Sequence, residues 1–348
     1  MQINSKLLFV QLNDFHAHGG HYYPELRLSY ELFGLPLSIK NPVVLVCHAL
    51  TGNSTVSGSK GWWNSLIGKD KLIPTERFTV VAFNIPGNGY HNAAEANYEH
   101  YRHLNVRDLA TLFVLALQQL GVHQLFAAIG GSLGGGICWE IAATFPAFVR
   151  TIIPVASDWK ASDWVLAHNI AQQQILLHST KPLHDARMMA MLFYRSPASL
   201  KLKFNRSVNQ GSSLYQVESW LLHHGDKLNE RFTLDAYLLM NHYLSTLDVG
   251  SGRGGFEKVA AMLKANVVLV AIDSDLFFVA DEIRETASML EAAKCAVSYK
   301  EIVSVHGHDG FLIEFEQLSL LLQDVFSGES VAACWTESEI CRTFQHCN

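Results

Sequence analysis

The sequence predicts an α/β fold in which a mostly parallel central sheet carries helices on both faces and is interrupted by a helical lid insertion. Three observations carry this expectation. Short runs that are apolar throughout recur along the chain: Val43 to Cys47, Phe78 to Phe83, Leu125 to Ile129, Thr151 to Val155 and Val267 to Ile272. Strands covered on both faces read this way, whereas half-exposed strands alternate. Helical segments such as Val106 to Leu120 and Ile137 to Thr144 separate them, giving the strand–helix–strand rhythm of a doubly wound sheet. From Trp159 to about Thr246 that rhythm stops, and Leu, Met, Gln, His and Lys follow one another at helical spacing without a clear strand. The sheet pattern resumes at Ala265 and ends with Ala296 to Val305. Residues 1–158 and 247–328 are therefore expected to form one core, 159–246 the lid insertion and 329–348 a C-terminal tail.

The chain has 348 residues, 49% hydrophobic and 17% charged, which is globular composition with material for a sizeable core. A net charge of −6 gives no overall cationic surface for nucleic acid or anionic lipid. The opening MQINSKLLFVQLNDFHAHGG lacks a basic segment leading into an apolar export signal, and the apolar runs stop short of the roughly 20 residues of a membrane helix. A cytoplasmic protein is expected, without nucleic-acid or membrane partners. Cys47, Cys138 and Cys295 stand singly, and Cys334, Cys341 and Cys347 crowd the tail beside His346 at spacings that match no familiar zinc pattern. His16, His18 and His21 sit between two N-terminal strands without a carboxylate shell, which reads as a polar hairpin. No metal site is expected.

In "AAIGGSLGGGICWE" a strand, then Gly130-x-Ser132-x-Gly134, then a helix follow in that order, which is the context of a nucleophile elbow in the α/β-hydrolase fold. Gly130 and Gly134 would remove side chains where strand and helix cross, letting Ser132 protrude at the carboxyl end of the sheet. A phosphate loop is excluded: no Lys-Ser or Lys-Thr follows the glycines, and no Gly-x-Gly-x-x-Gly begins here. A serine alcohol needs a histidine base and an orienting carboxylate, in chain order serine, acid, histidine. Late strands end in Asp273 and Asp275 and in His306, His308 and Asp309. Of these, Asp275 and His308 are favoured, with His306 as the fallback. The backbone N–H groups of Leu133 and of Leu50, in the His48-Ala49-Leu50 loop after an early strand, are the expected oxyanion donors. His48 itself is read as bracing that loop.

With these residues on the page, the chain resembles the homoserine O-acetyltransferases. Its anchors are "VCHALTGNS", "GWWNSLIG", "AAIGGSLGG", "ARMMAMLFYRSPASL", "ERFTLDAYLLMNHYLSTLDVG", "IDSDLFF" and "GHDGFL", spread over nearly the whole length. The resemblance implies the triad Ser132, Asp275 and His308, an acyl-serine intermediate formed from acetyl-CoA as co-substrate, and no permanently bound cofactor. It also implies that Arg187 and Tyr194 bind homoserine, that Asp309 holds its amino group, and that the enzyme is a homodimer. Seven residues is close to two helical turns, so Arg187 and Tyr194 would share a face. The chain departs from the family pattern at "NIPGNGYHN", Asn84 to Asn92, where a Gly-Gly stretch leading to Gly-Ser-Thr-Gly-Pro is usual, and its insertion is shorter before Arg187.

The activity so implied is homoserine O-acetyltransfer. Serine as acceptor, succinyl-CoA as donor, an esterase with the same triad, and a non-catalytic protein using the fold as a scaffold are the other readings the sequence admits.

Overall fold

The structure, a computed structural model, describes residues 6–327; Cys334, Cys341, Cys347 and His346 lie outside them. Two N-terminal strands, β1 (Leu8–His16) and β2 (Tyr22–Gly34), pair antiparallel with Leu12 opposite Leu26. His16, His18 and His21 lie at their hairpin end and take different neighbours. His16 packs on Tyr22 at 4.8 Å, His21 stacks on His103 at 4.1 Å, and His18 Nε2 meets Arg107 Nη1 at 3.2 Å.

The central strands follow: β3 (Val43–Cys47), β6 (Thr79–Phe83), β7 (Leu125–Gly131), β8 (Val149–Val155), β9 (Asn266–Ile272) and β10 (Val297–Ile302). A separate two-residue pair, β4 (Ile67–Gly68) and β5 (Ile73–Pro74), lies between β3 and β6. The eight-stranded sheet runs β1-β2-β6-β3-β7-β8-β9-β10, parallel from β6 to β10.

Every residue of β3, β6 and β7 is buried, because the strand period of two sends alternate side chains into two cores. Val43, Leu45 and Cys47 join the core that also takes α2 (Val106–Gln119), α3 (Leu133–Thr144) and α10 (Ala280–Ala292). Val44 and Val46 join the core closed by α11 (Phe315–Phe326) and by Trp63 and Leu66 from the β3–β6 connection. Helix α2 starts on a capping box between Asn105 and Asp108, which satisfies two otherwise orphaned N–H groups; a single turn, α1 (Tyr98–Tyr101), precedes it.

After β8 come five helices of the insertion: α4 (Asp163–His178), α5 (Pro182–Tyr194), α6 (Pro197–Phe204), α7 (Gln216–Asn229) and α8 (Leu234–Ser245). The chain enters and leaves them at one place, where Ala161 N–H donates to the Leu247 carbonyl and Val249 N–H to that of Trp159. The short α9 (Phe256–Met262) then leads into β9.

Several boundaries shift from the sequence expectation, among them β8, which starts at Val149, and the last strand, which ends at Ile302 rather than Val305; two shifts concern the serine motif. Strand β7 continues through Gly131, and α3 begins at Leu133 rather than Ile137. Glycine disfavours helix interiors, but here tertiary contact decides. A Cβ on Gly134 would lie 2.1 Å from the Cys47 carbonyl oxygen, and one on Gly135 2.5 Å from Ser157 Cβ. The backbone of β3 has no room to withdraw, so Gly134→Ala is expected to destabilise the fold by about 3 kcal/mol, read as a lowered denaturant midpoint with unchanged m-value.

Candidate active site

Ser132 occupies the single residue between β7 and α3, at φ 54° and ψ −123°. A non-glycine residue held there is strained, and such strain persists only where its surroundings over-determine it. Ser132 N–H donates to the Val155 carbonyl at 2.9 Å, while its own carbonyl accepts from Gly135 and Gly136 N–H. The side chain is thereby turned off the strand at the start of α3. Leu133 is the first residue of that helix, where backbone N–H groups have no intrahelical acceptor and carry the positive end of the helix dipole.

His308 lies on a 3-10 turn, Gly307–Leu312, that follows β10. Its Nδ1 is 2.7 Å from Asp275 Oδ2. The other carboxylate oxygen, Oδ1, accepts the backbone N–H groups of Phe277 and Phe278 at 2.6 and 3.0 Å, so Asp275 is fixed by the turn beyond β9. With that carboxylate ionised, Nδ1 carries the proton and Nε2 is the free base. Aromatic rings of Phe277, Phe278, Tyr194 and Phe311 surround the imidazole at centroid distances of 5.1 to 5.9 Å. Phe311 also touches the nucleophile strand: a Cβ on Gly131 would lie 2.5 Å from its ring. One ring thus spans from the residue before Ser132 to His308. Ser132 and His308 are each only 4% exposed.

The neighbouring sequence alternatives go elsewhere. Asp273 Oδ1 accepts the Ser304 N–H, and His306 Nδ1 meets Arg195 Nη2 and Ser199 Oγ at 3.0 and 3.1 Å.

The loop after β3 is built on buried hydrogen bonds. His48 Nδ1 donates to the Ala49 carbonyl at 2.8 Å and Nε2 accepts the Ile85 N–H at 3.0 Å. Burial pushes this imidazole down to about 4, so it is neutral and can accept. Asn84 Oδ1 accepts the Ser54 N–H, and Glu31 Oε2 accepts both the Ser54 and Thr55 hydroxyls at 2.6 Å. Asn88 adds contacts to Asn84 and His48. The divergent segment Asn84 to Asn92 is therefore one wall of the network that holds the Leu50 loop, and Leu50 is buried beside it.

Helix α5 brings Arg187 and Tyr194 to one face, with the guanidinium 5.6 Å from the ring centroid. Asp309, next to His308, faces Arg195 Nη1 at 3.8 Å. Burial raises the Asp309 carboxyl, and the positive charges of Arg187, His308 and Arg195 oppose that shift. Sequence reasoning gave no role to Arg195, nor to Tyr237 on α8. The Tyr237 side chain is fully buried and its hydroxyl has no hydrogen-bond partner. Burial raises this phenol to about 12, and Arg187 draws it back. His168 on α4 packs against Phe193, Tyr194 and Phe277, and burial lowers it to about 4. Their only sequence signal is membership of helical runs whose facing partners the sequence does not reveal. Among the described residues, no group of three or more His, Cys, Asp or Glu is placed to hold a metal ion.

The arrangement combines a buried serine on a strained turn, an imidazole paired with a carboxylate, and the oppositely charged Asp309 and Arg195 side chains next to that imidazole. The α/β hydrolase fold family matches residues 42–314. The chain is 33% identical to a homoserine O-acetyltransferase of Symbiobacterium thermophilum, covering 89% of this chain and 92% of that one. Among solved structures it resembles the homoserine O-acetyltransferase of Bacillus anthracis, with a TM-score of 0.84 at 17% identity over 94% and 98% of the two chains. It also resembles an acetylester hydrolase of Corynebacterium glutamicum, with a TM-score of 0.79 at 18% identity over 92% and 96%.

Two buried neutral imidazoles weaken the fold toward acid, while Asp158, which burial raises to about 7, opposes them in part. His48 and His168 titrate near 4 when folded against 6.5 ordinarily, so between those values the unfolded chain binds more protons and stability falls as pH falls. Denaturant midpoints measured from pH 7 down to 4 are expected to decline, and His168→Gln to decline less steeply.

Proposed function

The chain belongs to the homoserine O-acetyltransferase family of the α/β-hydrolase fold, and from that premise we propose that it moves an acetyl group from acetyl-CoA to the hydroxyl of homoserine through an acetyl-Ser132 intermediate. The observation that carries this reading is the adjacency of two functions on one turn. His308 is paired to Asp275 at 2.7 Å, and the next residue, Asp309, lies within the positive charge of Arg187 and Arg195.

In the first half-reaction His308 Nε2 takes the Ser132 proton as Oγ attacks the thioester carbonyl. The oxyanion is held by the N–H groups of Leu133 and Leu50, donors that need no reorganisation as charge develops. The tetrahedral intermediate collapses, the carbon–sulfur bond breaks, and the proton on His308 goes to the departing thiolate. Homoserine then enters with its carboxylate on Arg187 and its ammonium on Asp309. Tyr194 closes the pocket, and the free Tyr237 hydroxyl donates to the carboxylate. His308 removes the homoserine hydroxyl proton, the new ester forms, and the proton returns to Ser132 as the acyl bond breaks.

Helices α4 to α8 act as the lid that keeps water from the acetyl-enzyme, so transfer outruns hydrolysis. Exposed Leu166, Ile170, Leu177 and Leu192 on α4 and α5 offer an apolar face for a homodimer. No helix among the described residues is long and apolar enough to cross a membrane, and the proposed setting is the cytoplasm, where acetyl-CoA serves biosynthesis of methionine.

Intact mass after mixing with acetyl-CoA tests the reading: an acetyl adduct is expected that disappears on adding homoserine and is absent in Ser132→Ala. An adduct lost only to water, indifferent to homoserine, would leave an esterase. Tyr237→Phe is expected to raise KM for homoserine about tenfold, the worth of one hydrogen bond to a charged group, without lowering the melting temperature, because its hydroxyl has no protein partner to lose.

A further inference from the structure

From 186 to 217 the chain contains Arg187, Arg195, Lys201, Lys203 and Arg206 and no Asp or Glu, in a protein of net charge −6. Arg187 and Arg195 face the site described above. The other three are exposed on and just beyond α6, and none pairs with a carboxylate among the described residues. Lys201 and Arg206 line a groove of about 480 Å³ between α6 and the start of α7, together with Phe204 and Tyr215, and Lys203 Nζ lies 5.5 Å from the Phe204 ring.

Aromatic faces accompany the charges. Lys203 Nζ lies 5.3 Å and the Arg195 guanidinium 6.0 Å from the Trp220 ring, which also packs on Phe204 and His224. Arg206 lies 5.4 Å from the Tyr215 ring and donates to its hydroxyl at 3.2 Å. Burial first, and then the nearby positive charges of Arg187, His223, Lys203 and Arg195, lower His224 at this corner to about 4. The corner adjoins the catalytic turn directly, since Arg195 is the residue that faces Asp309.

We propose that this α6–α7 groove binds the nucleotide end of the acyl-CoA donor, with its phosphates on Lys201, Lys203 and Arg206 and its adenine against the exposed aromatic faces. The inference rests on the donor proposed above. The acetyl thioester must reach a serine that is 4% exposed, so the bulky, multiply charged end of the donor stays at the surface and needs cations and π-faces there. A free amino-acid acceptor needs neither. Three cations left without acids cost the fold self-repulsion, and a polyanionic ligand relieves it.

The experiment compares wild type with the variant Lys201→Glu/Lys203→Glu/Arg206→Glu, using acetyl-CoA and acetyl-pantetheine as donors and calorimetric titration with 3′-phospho-AMP. Fluorophosphonate labelling of Ser132 reports that the variant is folded. KM for acetyl-CoA is expected to rise at least tenfold in the variant, with kcat and the KM values for acetyl-pantetheine and homoserine unchanged. Heat of 3′-phospho-AMP binding, present in wild type and weakened by salt, is expected to vanish. Equal donor KM values in variant and wild type, or no nucleotide binding by wild type, would overturn the inference. So would a short polyphosphate binding as well as 3′-phospho-AMP, since that marks an unselective anion patch. Wild type that binds 3′-phospho-AMP at this groove but forms no acetyl-enzyme would instead overturn the donor reading and leave a nucleotide site.

Discussion

The site depends on one close approach: the carbonyl at the end of β3 meets the first turn of α3 where only glycine leaves room. A Cβ on Gly134 would come within 2.1 Å of the Cys47 oxygen, and one on Gly130 within 2.4 Å of the Gly134 backbone. Three backbone segments are thereby locked at one point. One is the strand leading to Ser132, another is helix α3, which begins at Leu133, and the third is the strand leading to the Leu50 loop. Preorganised donors are effective because they do not have to move, and in the proposed reaction this crossing would fix both donors relative to Ser132 in a single contact. The left-handed Ser132 backbone is sustained by the same packing.

Electrostatics around that point follow a consistent rule: charges near the reacting atoms are paired or opposed, and remaining buried rings are neutral. Asp275 is satisfied by two backbone N–H groups and His308. Asp309 is pushed toward its neutral form by burial but lies among Arg187, His308 and Arg195. His48 and His168, with no carboxylate beside them, lose their charge instead, as desolvation requires when nothing compensates it. The polarity of the pocket is thus concentrated where a zwitterionic acceptor would present its own charges.

Much of this was legible in the sequence. Runs such as Val43–Cys47 and Leu125–Ile129 announce doubly buried strands, because apolar residues at every position leave no face for water. Ser132 directly follows β7, while Asp275 and His308 lie on the turns beyond β9 and β10 rather than at the strand ends themselves. What the sequence hides is lateral contact. Nothing in "YRSP" says that Arg195 will meet Asp309 from another part of the chain, and nothing in "DAYLLM" says that the Tyr237 hydroxyl will end unpartnered. The start of α3 at Leu133 was concealed for the same reason: glycine propensity argues against helix, and only the presence of Cys47 and Ser157 alongside reverses it. Local pattern reports burial well and partners poorly, since partners are set by tertiary packing.

That lateral packing also ties the insertion to the turn that carries His308. Gly307 takes φ +67°, and a Cβ there would lie 2.9 Å from both Tyr194 O and Ser196 N, so the end of α5 rests on the turn that carries His308. Ser196 Oγ bonds to the Val305 carbonyl just before that turn, and Arg195 reaches both His306 and Asp309. The helix proposed to bind the acceptor is therefore the same element that braces the base. A core without it would lose the imidazole's support together with its cover, and any shift of α5 on acceptor binding is transmitted to His308 by direct contact. In the proposed reaction, recognition of the amino acid, exclusion of water and positioning of the base would all follow from one docked helix end.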